Sequence, residues 1–112
     1  IRTIAFLVLV CLSAREVSAQ ECTLEVASLN TAGLPANNDS GDPSLSFDGR
    51  FVAYSSIASD LVAGDANLII DCFVTDRRTD VAERVSVSTA GVESNGPSYA
   101  PRLSADGRFV VF

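Results

Sequence analysis

Leu45-Ser46-Phe47-Asp48-Gly49-Arg50-Phe51-Val52-Ala53-Tyr54 is the stretch that decides the fold, and it returns as Leu103-Ser104-Ala105-Asp106-Gly107-Arg108-Phe109-Val110-Val111-Phe112. In each copy an Asp-Gly pair lies between two apolar runs, which is the strongest short signal for a β-hairpin. The pattern predicts strands at 45–47 and 50–54, joined by a turn at Asp48-Gly49, since both residue types tolerate positive φ. The second copy predicts the same hairpin over 103–112.

These hairpins belong to an internal repeat of 58 residues. Aligned without gaps, residues 25–54 and 83–112 are identical at 15 of 30 positions, where chance would give about two. Further strands are predicted at 72–75 and 81–87, around a polar turn at 76–80, and no segment after residue 20 has helical periodicity. Four short antiparallel strands per repeat are what a β-propeller blade needs, since stacked blades bury one another's apolar faces. We therefore expect an all-β fold with about one and a half repeats.

The first 19 residues have the features of a secretory signal peptide. Arg2 supplies a positive start, Ile4 to Leu12 is unbroken apolar sequence, and Val17-Ser18-Ala19 offers small residues at a cleavage site before Gln20. Nine apolar residues are too few for a permanent transmembrane helix. A buried strand or helix is the alternative interpretation of this segment. The signal predicts a secreted or periplasmic protein with no transmembrane segment in the mature chain.

Charge and composition exclude several classes of function. The 112 residues contain 8 basic residues, all of them Arg, and 14 acidic ones, for a net charge of -6. An acidic chain is repelled by nucleic acid and by anionic membranes, so we expect neither as a partner. Because the sequence has no His, it contains no Ser-His-Asp triad and no His-ligated zinc site. No catalytic constellation is visible, and whether the protein is an enzyme is left open.

Two cysteines, Cys22 and Cys72, would remain after removal of the signal peptide. In an oxidising compartment they can form a disulfide, but sequence does not place their Cα atoms within bonding range. Their pairing with each other, or with other cysteines, is left open.

The repeated hairpin resembles the Ser-x-Asp-Gly-Arg strand pair of TolB-like, WD-type propeller repeats. Asp65-Ala66-Asn67, Asp71-Cys72-Phe73-Val74 and Asp76-Arg77 resemble the segment that follows it in secreted bacterial members. The resemblance implies that residues 20–112 are the N-terminal part of such a propeller, interrupted within a strand at Phe112. It also implies roles as scaffold, as protein-binding platform or as companion of a hydrolase domain. Leu68-Ile69-Ile70 and Cys72 depart from the usual pattern, which affects the loop and not the repeat.

Two sets of polar residues are candidates for chemistry. Asp48 and Asp106 are interpreted as turn formers, and Arg50 and Arg108 as partners of carboxylates on neighbouring strands. Asp65, Asn67 and Asp71 stand at relative positions 1, 3 and 7, so a tight loop would bring their oxygens around a calcium ion. The match to an EF-hand is poor, because Ile69 and Ile70 occupy positions 5 and 6. The competing interpretation is that these residues organise a turn and the start of the next strand.

Two functions from different classes follow. The first is a non-catalytic extracytoplasmic propeller that acts as a binding or scaffold module, with a protein partner and no cofactor other than a calcium ion at the site above. The alternative is the propeller part of a secreted hydrolase whose catalytic residues lie in sequence beyond this chain. A downstream Gly-x-Ser-x-Gly motif with Asp and His would favour the alternative.

Overall fold

The computed structural model describes residues 7–10 and 23–112, with side chains from residue 24 onward. Within these residues the chain is all β, with no helix, as predicted. The strands are β1 Leu7–Val10, β2 Thr23–Val26, β3 Ser40–Leu45, β4 Phe51–Ser56, β5 Asp71–Asp76, β6 Val81–Arg84, β7 Arg102–Leu103 and β8 Val110–Val111. The predicted cleavage point, Cys22 and most of the predicted signal peptide lie outside the described residues.

An antiparallel sheet in the order β3-β4-β5-β6 forms the centre of the molecule. Its strands follow one another along the chain, because each connection turns back onto the neighbouring strand. Strand β5 covers the predicted strand at 72–75, and the predicted polar turn at 76–80 leads from β5 into β6. Besides this four-stranded sheet, the described residues form two smaller antiparallel sheets, β1 with β2 and β7 with β8.

The first predicted strand ends two residues earlier than predicted. β3 ends at Leu45, and Phe47 lies in the turn with 94% of its surface exposed. The cause is the tight turn that the Gly49 N–H closes on the Ser46 carbonyl at 2.9 Å. Only Gly49 of the Asp-Gly pair has positive φ, at 68°.

The fourth strand is also shorter than predicted. β6 ends at Arg84 and not at Val87, since Val87 forms an isolated bridge with Glu93 instead. Beyond this end the Val85 N–H still donates to the Cys72 carbonyl at 2.8 Å, but the Cys72 N–H donates to a side chain, Ser86 Oγ, at 3.0 Å. The alternating polarity over 81–87 does not reveal where the strand ends, because Ser86 is buried as a strand residue would be.

Both faces of the four-stranded sheet are covered by other parts of the chain. On the first face, Val52, Tyr54 and Phe73 pack in one cluster with small side chains from 27–36 and with Leu61. Thr75 lies on the same face and donates to the Ala27 carbonyl at 3.0 Å. The second face meets the β7–β8 hairpin, where the Leu103 N–H donates to Ser44 Oγ at 3.0 Å. The segments before and after the sheet therefore lie on opposite faces of it.

The 58-residue repeat is accompanied by repeated hydrogen bonds. Ser46 donates to Asp48 Oδ1 at 2.7 Å, and its counterpart Ser104 donates to Asp106 Oδ1 at 2.6 Å. The strand pairs Leu45↔Val52 and Leu103↔Val110 are related by the same offset. So are two unusual backbone positions, Asp42 at φ 52° and Ala100 at φ 50°. Equivalent sequence thus adopts equivalent local structure in the two copies.

Candidate functional site

The three residues predicted as calcium ligands lie together around an arginine. Arg84 Nη1 is 3.4 Å from Asp65 Oδ1 and 3.7 Å from Asp71 Oδ2, and it also binds Glu93 Oε1. Asn67 donates from Nδ2 to Asp71 Oδ2 at 3.2 Å. We call Asp65, Asn67, Asp71, Arg84 and Glu93 the Arg84 cluster. Its positive charge is supplied by the guanidinium, and its carboxylates come from two segments, residues 65–71 and the segment after β6.

The loop before β5 positions the acidic residues of the cluster. Asn67 Oδ1 accepts from the Ile69 N–H at 3.1 Å, and Leu68 takes a positive φ of 57°, so the loop reverses within a few residues. Asp71 then begins β5, completely buried, and accepts from Ser86 Oγ at 2.6 Å. This agrees with the interpretation of Asn67 and Asp71 as organisers of a turn and a strand start.

Burial dominates the electrostatics of the cluster. The side chain of Asp65 is 3% exposed and that of Arg84 is 10% exposed. Burial raises the pKa of the Asp65 carboxyl above its ordinary value, which the Arg84 charge opposes and the charges of Asp71 and Glu93 reinforce. The Arg84 Nε–H is buried without a hydrogen-bond partner. Three carboxylates thus share one cation.

Calcium binding at Asp65, Asn67 and Asp71 stays a prediction. In the described part of the chain, no group of three or more acidic or Cys side chains is arranged to hold a metal ion. Asp60, which would be an additional ligand, accepts instead from Asn30 Nδ2 at 2.8 Å and from the Asn37 N–H at 3.0 Å. A calcium ion would have to displace the guanidinium from the carboxylates that it now contacts.

Arg84 and Glu93 are the members of the cluster that the sequence reasoning missed. A usable signal was present in the repeat, because Arg84 and Glu93 stand where the first copy has Val26 and Pro35. Two uncharged positions thus become oppositely charged together in one copy. Such paired departures from a repeat indicate a contact between the two residues.

The Asp-Gly-Arg turns have the structural role that the sequence favoured. Asp48 Oδ1 accepts from Ser46 Oγ and from the Arg50 N–H, and these hydrogen bonds lower the pKa of Asp48. Asp106 is held in the same way and its pKa is also lowered. Both carboxylates are therefore occupied within their own turns.

Arg50 pairs with a carboxylate on a neighbouring strand, as predicted. Its Nε and Nη2 donate to Asp76 on β5, the shortest distance being 2.6 Å from Nη2 to Oδ2. This hydrogen bonding lowers the pKa of Asp76 to about 2. The counterpart Arg108 lies over the Phe109 ring, 5.5 Å from its centroid. The pairing fixes the β4–β5 edge next to the turn.

Two potential nucleophiles of the described chain, Cys72 and Tyr54, are buried. Cys72 is a free thiol with no exposed surface, and burial raises its pKa to about 11. Burial also raises the pKa of Tyr54 to about 12, and its hydroxyl is 3.1 Å from Thr75 Oγ1. Neither group is ionised at neutral pH or reached by a substrate, and the sequence holds no His to activate a serine. Both side chains are therefore part of the packed central sheet.

Two clefts lie at equivalent positions of the repeat. One, of about 370 Å³, lies between the segment from β2 and the β5–β6 turn and is lined by residues that include Glu25, Thr75 and Arg77. The other, of about 440 Å³, lies where residues 86–98 approach Phe112. Both lie next to segments that follow β2 and β6, which are equivalent positions of the repeat. They are candidates for contact with another polypeptide.

Comparison with known proteins finds no relative. No family model matches the chain, and no match is found among curated proteins or among solved structures. In the part of the chain that the structure describes, no helix has the length and apolar character needed to cross a membrane.

Proposed function

We propose that this chain is a non-catalytic, extracytoplasmic β-propeller repeat protein that acts as a binding or scaffold module. The observation that carries the proposal is the 58-residue recurrence of strand pairing and turn hydrogen bonds. In this proposal each sheet in the order β3-β4-β5-β6 is one blade, and successive blades stack face to face. The resemblance of the turns to TolB-like repeats points in the same direction.

A binding role rather than a catalytic one is favoured by the occupation of the polar side chains. Among the described residues, the turn aspartates, Arg50 and the Arg84 cluster all have structural partners. Exposed apolar side chains remain, among them Leu34 and its counterpart Val92, at 61% and 63% exposure. Together with the acidic net charge they favour a protein partner with a basic rim and an apolar centre.

Blade formation is tested with a chain of six consecutive copies of residues 43–100, the 58-residue unit. Stacked blades should bury one another's faces, so the chain should melt cooperatively and form rings visible by electron microscopy. The control carries Val74→Pro in every copy, which removes a backbone donor from the central strand β5. An elongated or unfolded six-copy chain would contradict the blade assignment.

Export is tested separately by expressing the 112-residue chain in a bacterium and measuring the mass of the product. We expect a chain that begins at Gln20 in the extracytoplasmic fraction. Ala19→Arg, which places a bulky charge at the cleavage position, should leave the chain unprocessed. Recovery of the unprocessed natural chain in the cytoplasm would contradict the extracytoplasmic part of the proposal and leave the blade assignment unaffected.

A further inference from the structure

Asp42 and Ala100 have the same unusual backbone conformation at equivalent positions of the repeat. Their φ angles are 52° and 50°, in the left-handed region, and each residue is followed by a proline, Pro43 or Pro101. A residue before proline is restricted further, toward extended conformations. Ala100 has no polar side chain that could favour the left-handed region through a local hydrogen bond, so the fold imposes this conformation. The backbone is therefore strained at both positions.

An irregularity of the central sheet accompanies the strain at Asp42. Strand β3 pairs with β4, but the register shifts between Gly41 and Ser44, so Asp42 and Pro43 form none of the ladder pairs. Both residues are exposed, which makes the peptide bond between them accessible to water. The Asp42–Pro43 bond is therefore strained, outside the regular ladder and open to solvent.

The side chain of Asp42 adds a nucleophile that Ala100 does not have. Its Oδ2 accepts a hydrogen bond from Ser55 Oγ at 2.9 Å, and Ser55 is buried in β4. The strand thereby holds the carboxylate close to the backbone of β3, and the second oxygen, Oδ1, is the one left to react. An aspartate oxygen that attacks the carbonyl carbon of its own residue closes a five-membered ring. Such an intramolecular attack is favoured because the two reacting groups are already held together.

We propose that the Asp42–Pro43 peptide bond is a site of self-cleavage, in which the Asp42 carboxylate attacks its own carbonyl carbon. A bond forms from Oδ1 to that carbon, and the bond from the carbon to the Pro43 nitrogen breaks. The departing nitrogen takes a proton from water and becomes a secondary amine. The hydroxide left from that water opens the cyclic anhydride, so Asp42 ends with two carboxyl groups. The sum is hydrolysis of one peptide bond by one water molecule, with no oxidation or reduction.

The residue after Asp42 and the strain before the bond both favour this reaction. The nitrogen of an X-Pro bond belongs to a tertiary amide and leaves as a secondary amine, which is more readily protonated than the nitrogen of an ordinary peptide bond. Breaking the bond makes Asp42 a chain end that can rotate, so the strain of its left-handed conformation is released. The Ala100–Pro101 bond has the same strain and the same proline but no carboxylate. It is an internal control for the role of the side chain.

Self-cleavage would divide the chain within β3 without separating the two parts. The part before the break is held to the central sheet, because Thr75 Oγ1 donates to the Ala27 carbonyl at 3.0 Å and Asn37 Nδ2 donates to Ser59 Oγ at 3.0 Å. The part after the break begins at Pro43 and retains the four-stranded order. The product is a two-chain form of the same fold. This inference does not depend on the binding role proposed above.

The test measures intact mass by mass spectrometry while the full 112-residue chain is incubated at neutral pH, either folded in buffer or unfolded in concentrated urea. Fragments that end at Asp42 and begin at Pro43 should accumulate at least about tenfold faster from the folded chain, because unfolding removes both the strain and the hydrogen bond from Ser55. Equal or faster cleavage in urea would overturn the proposal, since it would reflect the sequence alone. Cleavage of the Ala100–Pro101 bond at the same rate would also overturn it.

Three variants test the reacting groups. Asp42→Glu keeps the charge but needs a larger ring, so cleavage should slow by at least about tenfold, and an undiminished rate would overturn the proposal. Ser55→Ala removes the hydrogen bond that positions the carboxylate and should also slow cleavage, whereas Ser55→Thr keeps a hydroxyl and should restore it. The urea unfolding midpoint of each variant shows whether the fold is retained. A folded Ser55→Ala variant that is cleaved at the natural rate would overturn the positioning role of Ser55.

Discussion

Replacing Arg84 with Gln should destabilise the chain more than any other single loss of charge among the residues that the structure describes. The substitution keeps a polar side chain of similar length but removes the cation that faces Asp65, Asp71 and Glu93. Removing one partner of a buried ion pair typically costs about 3–5 kcal/mol, because the remaining charge loses its compensation without regaining water. Asp71 keeps its hydrogen bonds from Ser86 and Asn67, so we expect the lower end, about 3 kcal/mol.

Urea unfolding followed by circular dichroism measures this loss. With a slope of about 2 kcal/mol per molar urea, a loss of 3 kcal/mol lowers the midpoint by about 1.5 M. The matched control is Arg78→Gln, since Arg78 is exposed and its removal changes the net charge equally. That variant should lose less than about 0.5 kcal/mol. A loss of unfolding free energy below about 1 kcal/mol for Arg84→Gln would refute the reasoning, because a loss of that size is typical of a solvent-exposed ion pair.

The pH dependence of the same variant supplies an independent check. The pKa of Asp65 is already raised by burial, and loss of the Arg84 charge, which now opposes that rise, should raise it further. A raised pKa in the folded state destabilises the fold at higher pH, and the penalty disappears as pH falls through that pKa. Arg84→Gln should therefore recover stability relative to the natural chain as the pH is lowered from neutral to 3.8, the ordinary pKa of Asp. A constant difference across this range would contradict the account.

Two further predictions concern Gly107 and Asp76, and a third concerns calcium at the Arg84 cluster. Gly107→Ala should lower the free energy of unfolding, measured with urea, by about 2 kcal/mol, because φ is +70° and the new Cβ meets Phe51 at 2.6 Å. Adding Phe51→Leu to this variant should reduce the loss. A Gly107→Ala variant as stable as the natural chain would contradict the close approach. The pKa of Asp76 is lowered from 3.8 to about 2 by Arg50, so its stabilisation is complete above pH 3.8 and is lost as pH falls toward 2. Asp76→Asn should not show this loss of stability during acid titration. Identical acid unfolding curves for the variant and the natural chain would refute the prediction. Millimolar calcium should raise the melting temperature of Arg84→Gln more than that of the natural chain, and EDTA should reverse the rise. Equal responses of the two chains would show that calcium does not bind at this cluster.

The sequence predicted the elements that depend on local chemistry. The hairpin around Gly49, the strand at 72–75 and the turn at 76–80 each follow from turn residues and period-two alternation, and each is present. The end of β3 was placed wrongly because Phe47 looks like a strand residue, although the hydrogen bond between Ser46 and Gly49 makes it part of the turn. Apolar character alone does not distinguish a strand end from a turn position.

The candidate site was predicted in its acidic half only. Spacing along the chain brought Asp65, Asn67 and Asp71 together correctly, because all three lie in one short loop. Arg84, which neutralises them, lies at the end of β6, and Glu93 lies in the segment after β6. Such contacts depend on which strands become neighbours, which a local spacing argument does not contain. The calcium ion was inferred for a position whose charge is compensated by the protein itself.

The burial of Cys72 gives this molecule an internal reporter of its own unfolding. The thiol lies in β5, between β4 and β6, with no exposed surface and a pKa of about 11. An alkylating reagent can therefore reach it only when the central strands separate, and the labelling rate follows the population of opened molecules. Peptide mapping assigns the label to this position and so distinguishes it from Cys11 and Cys22. Slow labelling at Cys72 would then quantify, in living cells as well as in vitro, how often the sheet opens.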